Sequence, residues 1–443
     1  MFGEGAEHGT RGRVRSPEWR VRVLSAVALV CVSIILAWFF LPKPPLLDGI
    51  PFSQAVWDRN GKLLRLTLAT DQKFRIRTSL DHISPELIDA TLRYEDRYYA
   101  QHPGVNPVAL LRSGYRLLAR ARIRTGASTV TMQLARLRFH LQTRSIPGKF
   151  RQIINALELE RHYSKREILE AYLNLAPYGR NIEGVGAASQ IYFDKSPANL
   201  TAPQAVALSV IPQSPARRAL FSDRDNPSVN AAQNNWYDRV GLNPNAELSG
   251  RQFKARAQNE HKFSAPHFVQ QSLANEKDHV RNPATLDLEK QELVERRIRD
   301  YIAVNRSRGI QNAASFLIDS RTMEVLAQVG SADFNNGGIS GQVDGTRSLR
   351  SPGSTLKPFV YALALDQGLI HPLSILSDAP RSFGEYNPEN FDHDFLGPIR
   401  ACDALARSRN IPAVTLASHL SHPTLYEFLR NAGVALPQPN AFY

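Results

Sequence analysis

The sequence has very little sulfur. Its 443 residues include two cysteines and three methionines. Cys31 lies in an apolar run near the N-terminus and Cys402 lies near the other end, so we expect no disulfide between them. This excludes a disulfide-stabilised domain and a cysteine-based metal cluster. We predict no metal site and no cofactor, with a divalent cation left open.

Acidic residues are outnumbered. The chain has 54 Lys and Arg against 41 Asp and Glu, a formal net charge of +13. A basic excess favours an anionic partner, which can be nucleic acid, a membrane surface or a phosphorylated substrate. Hydrophobic residues make up 43% of the chain, enough for buried cores in more than one domain.

One long stretch without charge lies near the N-terminus. Val23–Leu41 has 19 residues, which as a helix would span roughly the hydrocarbon core of a bilayer. Arginines precede the stretch, so we expect residues 1–22 to be a cytoplasmic basic tail and the rest of the chain to lie outside. A cleaved signal peptide is the weaker alternative, because aromatic residues and prolines replace a small-residue cleavage site. Nucleic-acid binding is set aside for this topology.

The first chemical motif contains Glu95. A helix is expected to begin at Pro85, with Ser84 as its N-cap. Ile88, Leu92 and Glu95 then share its apolar face. Desolvation there would raise the pKa of the carboxyl group and suit it to general-base chemistry. The alternative is a glutamate at the core edge paired with an arginine.

Three further features follow along the chain. Gly126–Leu134 places small and hydroxyl residues at a helix start, where an anion or sugar hydroxyls can bind, although such residues often only cap the helix. Val108–Ala121 carries an arginine stripe beside leucines, which suits a lipid surface or an ordinary solvated helix equally. Lys149 could neutralise a leaving phosphate.

These motifs occur in the order found in the glycosyltransferase domain of class A penicillin-binding proteins, which the sequence resembles from the anchor onward. They are Glu-Asp-Arg with two aromatics and a later His-x-Gly, Gly-x-Ser-Thr-x-Thr-x-Gln-Leu, and the Lys149 helix followed by Ile-Leu-Glu-x-Tyr-Leu-Asn. Arg-Ser-Pro-Gly-Ser-Thr-Leu-Lys-Pro-Phe resembles the 1C type most closely.

The resemblance implies a multi-domain protein of the bacterial inner membrane with periplasmic catalytic domains. After the transmembrane helix at 23–41 it implies a mostly α-helical, lysozyme-like glycosyltransferase domain at 46–222. An interdomain segment at 223–290 and an α/β serine penicillin-binding (β-lactamase-like) transpeptidase domain at 291–443 would follow. The implied partners are the membrane, lipid II, the growing glycan strand and β-lactams.

The resemblance also assigns roles to residues. Glu95 would deprotonate the acceptor sugar hydroxyl, which attacks the donor sugar with inversion while the lipid pyrophosphate leaves. Lys149 would stabilise the pyrophosphate. The other positions that match the substrate-binding region are Asp96, His102, Ser128, Thr129 and Gln133. The usual second glutamate falls on Gln152, which can hydrogen-bond but cannot carry charge.

A second catalytic set resembles that of serine acyl enzymes. Ser354 and Lys357 are three residues apart, so on a helix Lys357 could take the proton of the Ser354 hydroxyl. Ser408 and Asn410 match the Ser-x-Asn element. No Lys-Thr-Gly occurs in the sequence. We therefore expect a C-terminally truncated transpeptidase domain without competent transpeptidation, whose strands Ala314–Ile318 and Met323–Val329 are left with an open edge.

Two other functions fit some of these features. A lysozyme-like hydrolase could use Glu95 as an acid on finished glycan, but the basic stripe and Lys149 favour a pyrophosphate substrate. A non-catalytic periplasmic scaffold would fit Gln152 and the absent Lys-Thr-Gly.

Overall fold

The structure is a computed structural model that describes residues 42–118, 128–220, 226–240, 263–274 and 284–434, with Arg22 and scattered residues from 24 to 33. The predicted anchor Val23–Leu41 lies mostly outside the described residues. Within the part that is described, no helix is both long enough and apolar enough to cross a membrane. The chain divides into two compact units, residues 1–346 and 347–443.

The first unit begins with a β-hairpin. Strand β1 (Ala55–Trp57) pairs antiparallel with β2 (Leu63–Leu66). Asp58 is fully buried, and its Oδ1 accepts hydrogen bonds from the backbone N–H groups of Asn60 and Lys62, each at 2.8 Å. The carboxylate thus replaces backbone partners inside the turn, as aspartate does in many turns. In the sequence, Asp58-Arg59-Asn60-Gly61 between two apolar stretches predicts a hairpin turn, and the structure confirms it.

Helices make up most of the region that follows. Their bounds are α1 Pro85–Glu95, α2 Pro107–Leu118, α3 Val130–Arg138, α4 Ile146–His162, α5 Lys165–Leu175, α6 Val185–Phe193 and α7 Ala202–Val210. The Ser84 hydroxyl accepts a hydrogen bond from the Leu87 N–H, so the predicted cap of α1 is confirmed. Ser164-Lys165-Arg166-Glu167 and Thr201-Ala202-Pro203-Gln204 match the capping-box pattern in the sequence, and capping boxes start α5 and α7 in the structure.

The central core of this unit lies where α3, α4 and α5 pack together. Met132 of α3, Leu159 of α4 and Tyr172 of α5 are all fully buried in it. Two short strands, β3 (Pro177–Gly179) and β4 (Ile182–Glu183), connect α5 to α6. Helix α3 packs against both α4 and α5. This packing holds the residues at its start, and those on the face away from α4 and α5, in fixed positions.

Two further helices come next, α8 (Pro215–Arg218) and α9 (Pro227–Val240). Helix α9 falls in the segment that the sequence assigns to the interdomain region 223–290. In the structure it packs on α1 and α7 through an apolar cluster of its own. The Trp236 indole N–H donates to the Ala90 carbonyl at 3.1 Å, which ties α9 to the helix that carries Glu95.

The last part of the first unit combines two helices with a strand pair. Helices α10 (Pro266–Ala274) and α11 (Leu288–Asn305) flank β5 (Ser315–Ile318) and β6 (Val325–Val329), which are antiparallel. The Gln291 side chain makes hydrogen bonds to both the N–H and the carbonyl of Gln328, and so occupies the outer edge of β6. Most of β5 is exposed.

The second unit has its own smaller core. Its elements are α12 Lys357–Asp366, β7 Ile375–Asp378, β8 Gly397–Arg400, α13 Ala401–Ala406, α14 Asn410–His419 and α15 Leu425–Asn431. Strands β7 and β8 are antiparallel, and α12, α13 and α14 pack around Ala364 and Ala404. Among the described residues of the whole chain, the strands form four two-stranded sheets.

One buried amide provides a stability test of the first unit. Asn174 of α5 is fully buried, accepts from the Thr78 N–H at 2.8 Å and donates to the Thr78 carbonyl at 2.7 Å. Asn174→Ala leaves both backbone groups unpaired, so we expect a loss of about 3 kcal/mol in unfolding free energy. Calorimetry measures it, with the exposed Asn230→Ala on α9 as the control. Equal unfolding temperatures for the two variants would contradict the expectation.

Candidate active site

Glu95 is the last residue of α1 and is half-buried. Its Oε2 accepts a hydrogen bond from Gln133 Nε2 at 2.7 Å. The Gln133 Oε1 in turn lies 3.5 Å from the hydroxyl of the fully buried Tyr172, which donates to it. Glu95 Oε1 is shielded from solvent and has no hydrogen-bond partner among the described residues. An acceptor atom in that state is suited to receive a donor from a bound molecule.

Burial raises the pKa of the Glu95 carboxyl group above its usual range, because the charged form loses solvation. The side-chain amides of Gln133 and Gln213 and the charges of Arg218 and Arg136 act in the opposite direction. The balance is a carboxylate that binds a proton more readily than a solvent-exposed one. The sequence predicts this direction from the apolar face of α1.

Asp96 and His102 point into the protein. Both are buried, and His102 Nε2 donates to Asp96 Oδ1 at 2.9 Å. Asp96 Oδ2 also accepts from the N–H of Val130, the first residue of α3, at 3.0 Å. Asp96 therefore satisfies a free N–H at the start of α3 and favours that helix end electrostatically. In this structure the pair positions α3 relative to α1.

Thr129 has a similar local role. It is the N-cap of α3, is buried, and its Oγ1 accepts from the Met132 N–H while donating to the Gly104 carbonyl. Both hydrogen-bonding capacities of the hydroxyl are thus directed at backbone groups. Thr129 joins the loop after Asp96 to the start of α3.

Ser128 and Lys149 are brought together. Lys149, in the first turn of α4, donates from Nζ to Ser128 Oγ at 2.9 Å and to Gln152 Oε1 at 2.8 Å. Gln152 Nε2 donates to the Met132 carbonyl at 2.6 Å. Burial, and then the charge of Arg136, lower the pKa of the Lys149 ammonium group.

Arg136 is a residue that the sequence analysis did not select. It lies on α3 one turn after Gln133, and its charge lowers the pKa of both Glu95 and Lys149. It is therefore near both groups. The spacing of three residues from Gln133 would have placed Arg136 on the same face of the helix.

The structure describes only part of the predicted arginine stripe in Val108–Ala121. Arg112 of α2 is exposed, and the side chains of Arg116 and Arg120 lie outside the described residues, as do Gly126 and Ala127. The site in the first unit therefore consists of a desolvated carboxylate on α1, a lysine on α4 and an arginine on α3. Such a set can remove a proton at one point and stabilise an anion at another.

The second unit contains the other predicted set. Ser354 is exposed on a 3₁₀ turn, Gly353–Leu356, that leads directly into α12. Lys357 Nζ donates to the backbone carbonyl of Ser408, to Ser408 Oγ at 3.1 Å and to Asn410 Oδ1 at 2.5 Å. Lys357 thus contacts the Ser-x-Asn element, and its partners in this structure do not include the Ser354 hydroxyl. Burial, and then Arg409, lower the pKa of Lys357.

A buried ion pair holds the Ser408–Asn410 turn. Ser408 has a φ of 56°, in the left-handed region that is unfavourable for most residues. Arg409 Nε donates to Asp378 Oδ2 at 2.7 Å, and both side chains are buried. Asn390 Nδ2 donates to Asp378 Oδ1 at 2.9 Å, while Asn390 Oδ1 accepts from the Asn410 N–H at 2.8 Å. These contacts fix the backbone that presents Ser408 and Asn410 to Lys357.

Comparison with known proteins matches both regions to families. Residues 60–239 match the family model described as transglycosylase, and residues 313–439 match the penicillin binding protein transpeptidase domain. Penicillin-binding protein 1C of Escherichia coli is 40% identical over 377 residues, which cover 84% of this chain and 48% of that protein. Penicillin-binding protein 1F of Bacillus subtilis is 27% identical over 411 residues, covering 87% of this chain and 56% of that protein.

A solved structure is also similar. The crystal structure of penicillin-binding protein 1A from Haemophilus influenzae has a TM-score of 0.40 and 17% sequence identity. The match covers 87% of this chain and 64% of that chain. The chain spans about half the length of the curated relatives named here.

The ion pair in the second unit can be tested directly. Arg409 also pairs with the half-exposed Asp392 at 2.7 Å, so Asp378→Ala removes its buried counter-ion and leaves the exposed one. We expect a loss of about 3 kcal/mol in local stability. Hydrogen exchange of α12 and α14 amides, followed by mass spectrometry, measures it. The double variant Asp378→Leu/Arg409→Met should lose less than Asp378→Ala, because no buried charge remains. A larger loss in the double variant would contradict this account.

Proposed function

Because the chain belongs to the class A penicillin-binding proteins, with a transglycosylase domain ahead of transpeptidase residues, we propose that it polymerises lipid II into the glycan strands of peptidoglycan. The observation that carries the proposal is the half-buried Glu95, whose Oε1 has no partner among the described residues while its Oε2 is held by Gln133. The catalytic carboxylate is Glu95.

In the proposed step, the 4-hydroxyl of the acceptor sugar donates its hydrogen bond to Glu95 Oε1. Glu95 takes the proton as the oxygen attacks C1 of the donor sugar, and the bond from C1 to the phosphate oxygen breaks. Burial supports this role, since a carboxyl group with a raised pKa is a better base near neutral pH. Gln133 keeps the carboxylate in one orientation.

The leaving group is a lipid pyrophosphate, and its negative charge grows as the C1–O bond breaks. The charge of Arg136 lowers the pKa of Lys149, so the two cations are near each other. Their proximity supports a shared anion site. Two fixed cations at a partly desolvated position stabilise developing charge more effectively than mobile ions in water. Ser128 holds Lys149 from one side.

The substrate is anchored in a bilayer, so the domain must work at the membrane surface. Ile146 and Phe150 lie one turn apart in α4, beside Lys149, and their exposed fractions are 86% and 63%. Apolar side chains so exposed fit an interfacial position among lipid headgroups. Together with the predicted anchor at Val23–Leu41, they support a position of the site at the outer face of the inner membrane.

In the second unit, the proposed acyl-serine site consists of Ser354 as nucleophile with Lys357, Ser408 and Asn410. The lowered pKa of Lys357 favours its role as proton acceptor. Its present partners, Ser408 and Asn410, are the groups that would relay protons and hold the donor peptide. β-Lactams are the expected ligands of this set.

Replacement of the catalytic carboxylate tests the polymerase proposal. Glu95→Gln keeps an acceptor for Gln133 but cannot take a proton, so we expect polymerisation of purified lipid II to fall by about 10² to 10⁴-fold. Gel separation of the glycan products measures it, with the exposed Glu86→Gln at the start of α1 as the control. Undiminished strand growth in Glu95→Gln would refute the assignment, and shortening of added glycan by the wild type would favour a hydrolase.

The same variant should not be less stable than the wild type at neutral pH. Burial raises the folded-state pKa of Glu95 above its unfolded-state value of 4.5. Ionisation of this group therefore opposes folding at pH values above 4.5. Glu95→Gln removes that penalty. The variant and the wild type should converge in stability below about pH 4.5, where Glu95 is protonated in both the folded and the unfolded wild type. A thermal unfolding series against pH separates lost chemistry from lost folding.

Fluorescence quenching tests the membrane contact. In full-length protein reconstituted into vesicles, Phe150→Trp should add emission that lipids with brominated acyl chains quench, since burial of such a side chain in lipid gains about 2 kcal/mol. Tyr386→Trp, exposed in the second unit, is the control. Equal quenching in both variants would contradict a specific contact at α4.

A further inference from the structure

The side chain of Gln152 is almost fully buried, one turn after Lys149 in α4. It joins two helices at the proposed anion site. Its Oε1 accepts from Lys149 Nζ at 2.8 Å, and its Nε2 donates to the Met132 carbonyl of α3 at 2.6 Å. Both ends of the amide are therefore used.

The orientation of this amide follows from its partners. An ammonium group can only donate, and a backbone carbonyl can only accept. A flipped amide would place NH₂ against the Lys149 ammonium group and oxygen against the Met132 carbonyl, with both contacts repulsive. Only the observed orientation gives a hydrogen-bond partner to the Lys149 ammonium group, to the Met132 carbonyl and to both ends of the Gln152 amide.

A carboxylate at this position would behave differently in two respects. It would be repelled by the Met132 carbonyl, because an ionised carboxylate has no hydrogen to donate. It would also neutralise Lys149 and reduce the positive charge available to an anion. The amide holds the lysine in the same place without cancelling its charge.

We infer that Gln152 is a positioning residue that fixes Lys149 between Ser128 and α3 while leaving the cationic charge of the site uncompensated. The inference rests on the proposed function for the identity of the anion, a lipid pyrophosphate. Glycosyl transfer then depends on a single titrating carboxylate, Glu95, with Lys149 and Arg136 as the cations.

Few of the described charged groups act on Lys149, so a change in its pKa can be assigned to the residue at position 152. Among the described residues, Arg136 of α3 is the charged group that acts on it. Farther along α4, Glu160 pairs with Lys165 of α5 at 2.7 Å and also accepts from Thr131. On α4 itself, the neighbouring Arg151 is exposed.

The first test measures Lys149 without any need for catalysis. Full-length protein in detergent is pulsed with acetic anhydride across a pH series, and acetylation of Lys149 is followed by peptide mass spectrometry. Gln152→Glu should raise the apparent pKa of Lys149 by about one unit or more, because a carboxylate favours the ammonium form. Gln152→Met should lower it, because the ammonium group loses an acceptor.

The two variants are expected to shift the Lys149 pKa in opposite directions, and this difference decides the test. A change in folding would shift both variants the same way, and circular dichroism monitors folding separately. The exposed Gln101→Glu is the control and should leave the Lys149 value unchanged. An unchanged Lys149 pKa in either Gln152 variant, or a shift in the same direction in both, would overturn the inference.

The second test uses lipid II polymerisation. Gln152→Met should lower kcat/KM by about tenfold, which is the value of one positioning hydrogen bond to a charged group. Gln152→Glu should move the alkaline limb of the pH profile upward, in parallel with the Lys149 pKa. Failure of the wild type to polymerise lipid II would defeat the proposed function alone, since the acetylation series decides the role of Gln152 independently.

Discussion

The site depends on one constraint, the desolvation of the Glu95 carboxylate at the end of α1. Burial raises its pKa, and a hydrogen bond from Gln133 to Oε2 fixes its orientation, while Oε1 has no hydrogen-bond partner among the described residues. A buried unsatisfied acceptor costs folding free energy. That cost is consistent with a site that a substrate hydroxyl completes, and the surrounding helices must be packed well enough to sustain it.

Helix α3 connects every part of that site. Asp96 and Thr129 hold its first turn, Gln133 reaches the carboxylate, Met132 offers its carbonyl to Gln152, and Arg136 acts on both Glu95 and Lys149. The residues that the resemblance assigns to substrate binding therefore divide into two groups. Ser128, Gln133 and Lys149 contact one another or the Glu95 carboxylate. Asp96 and Thr129 bond backbone groups at the start of α3, and His102 bonds Asp96, so these three residues fix the helix itself.

The local structure was predictable because it depends on neighbours in sequence. Caps at Ser84, Ser164 and Thr201, the hairpin at Asp58 and the strands on either side of Asp319 follow from hydrogen bonds and periodicities that span a few residues. The packing of α9 on α1 was not predictable in this way. Its polar composition is typical of a linker, but the indole of Trp236 reaches Ala90, which is 146 residues away.

The sequence by itself determined the order of the motifs, the helix that carries Glu95 and the chemical identity of each candidate group, including the neutral amide at Gln152. Only the tertiary structure decided what those groups do to one another. Whether Gln152 meets Met132, whether Lys357 meets Ser408 or Ser354, and which charges reach Glu95 all depend on distances between segments that are far apart in the sequence. Those distances are set by packing of distant segments, and electrostatic effects on a pKa depend on burial and separation that no spacing along the chain encodes.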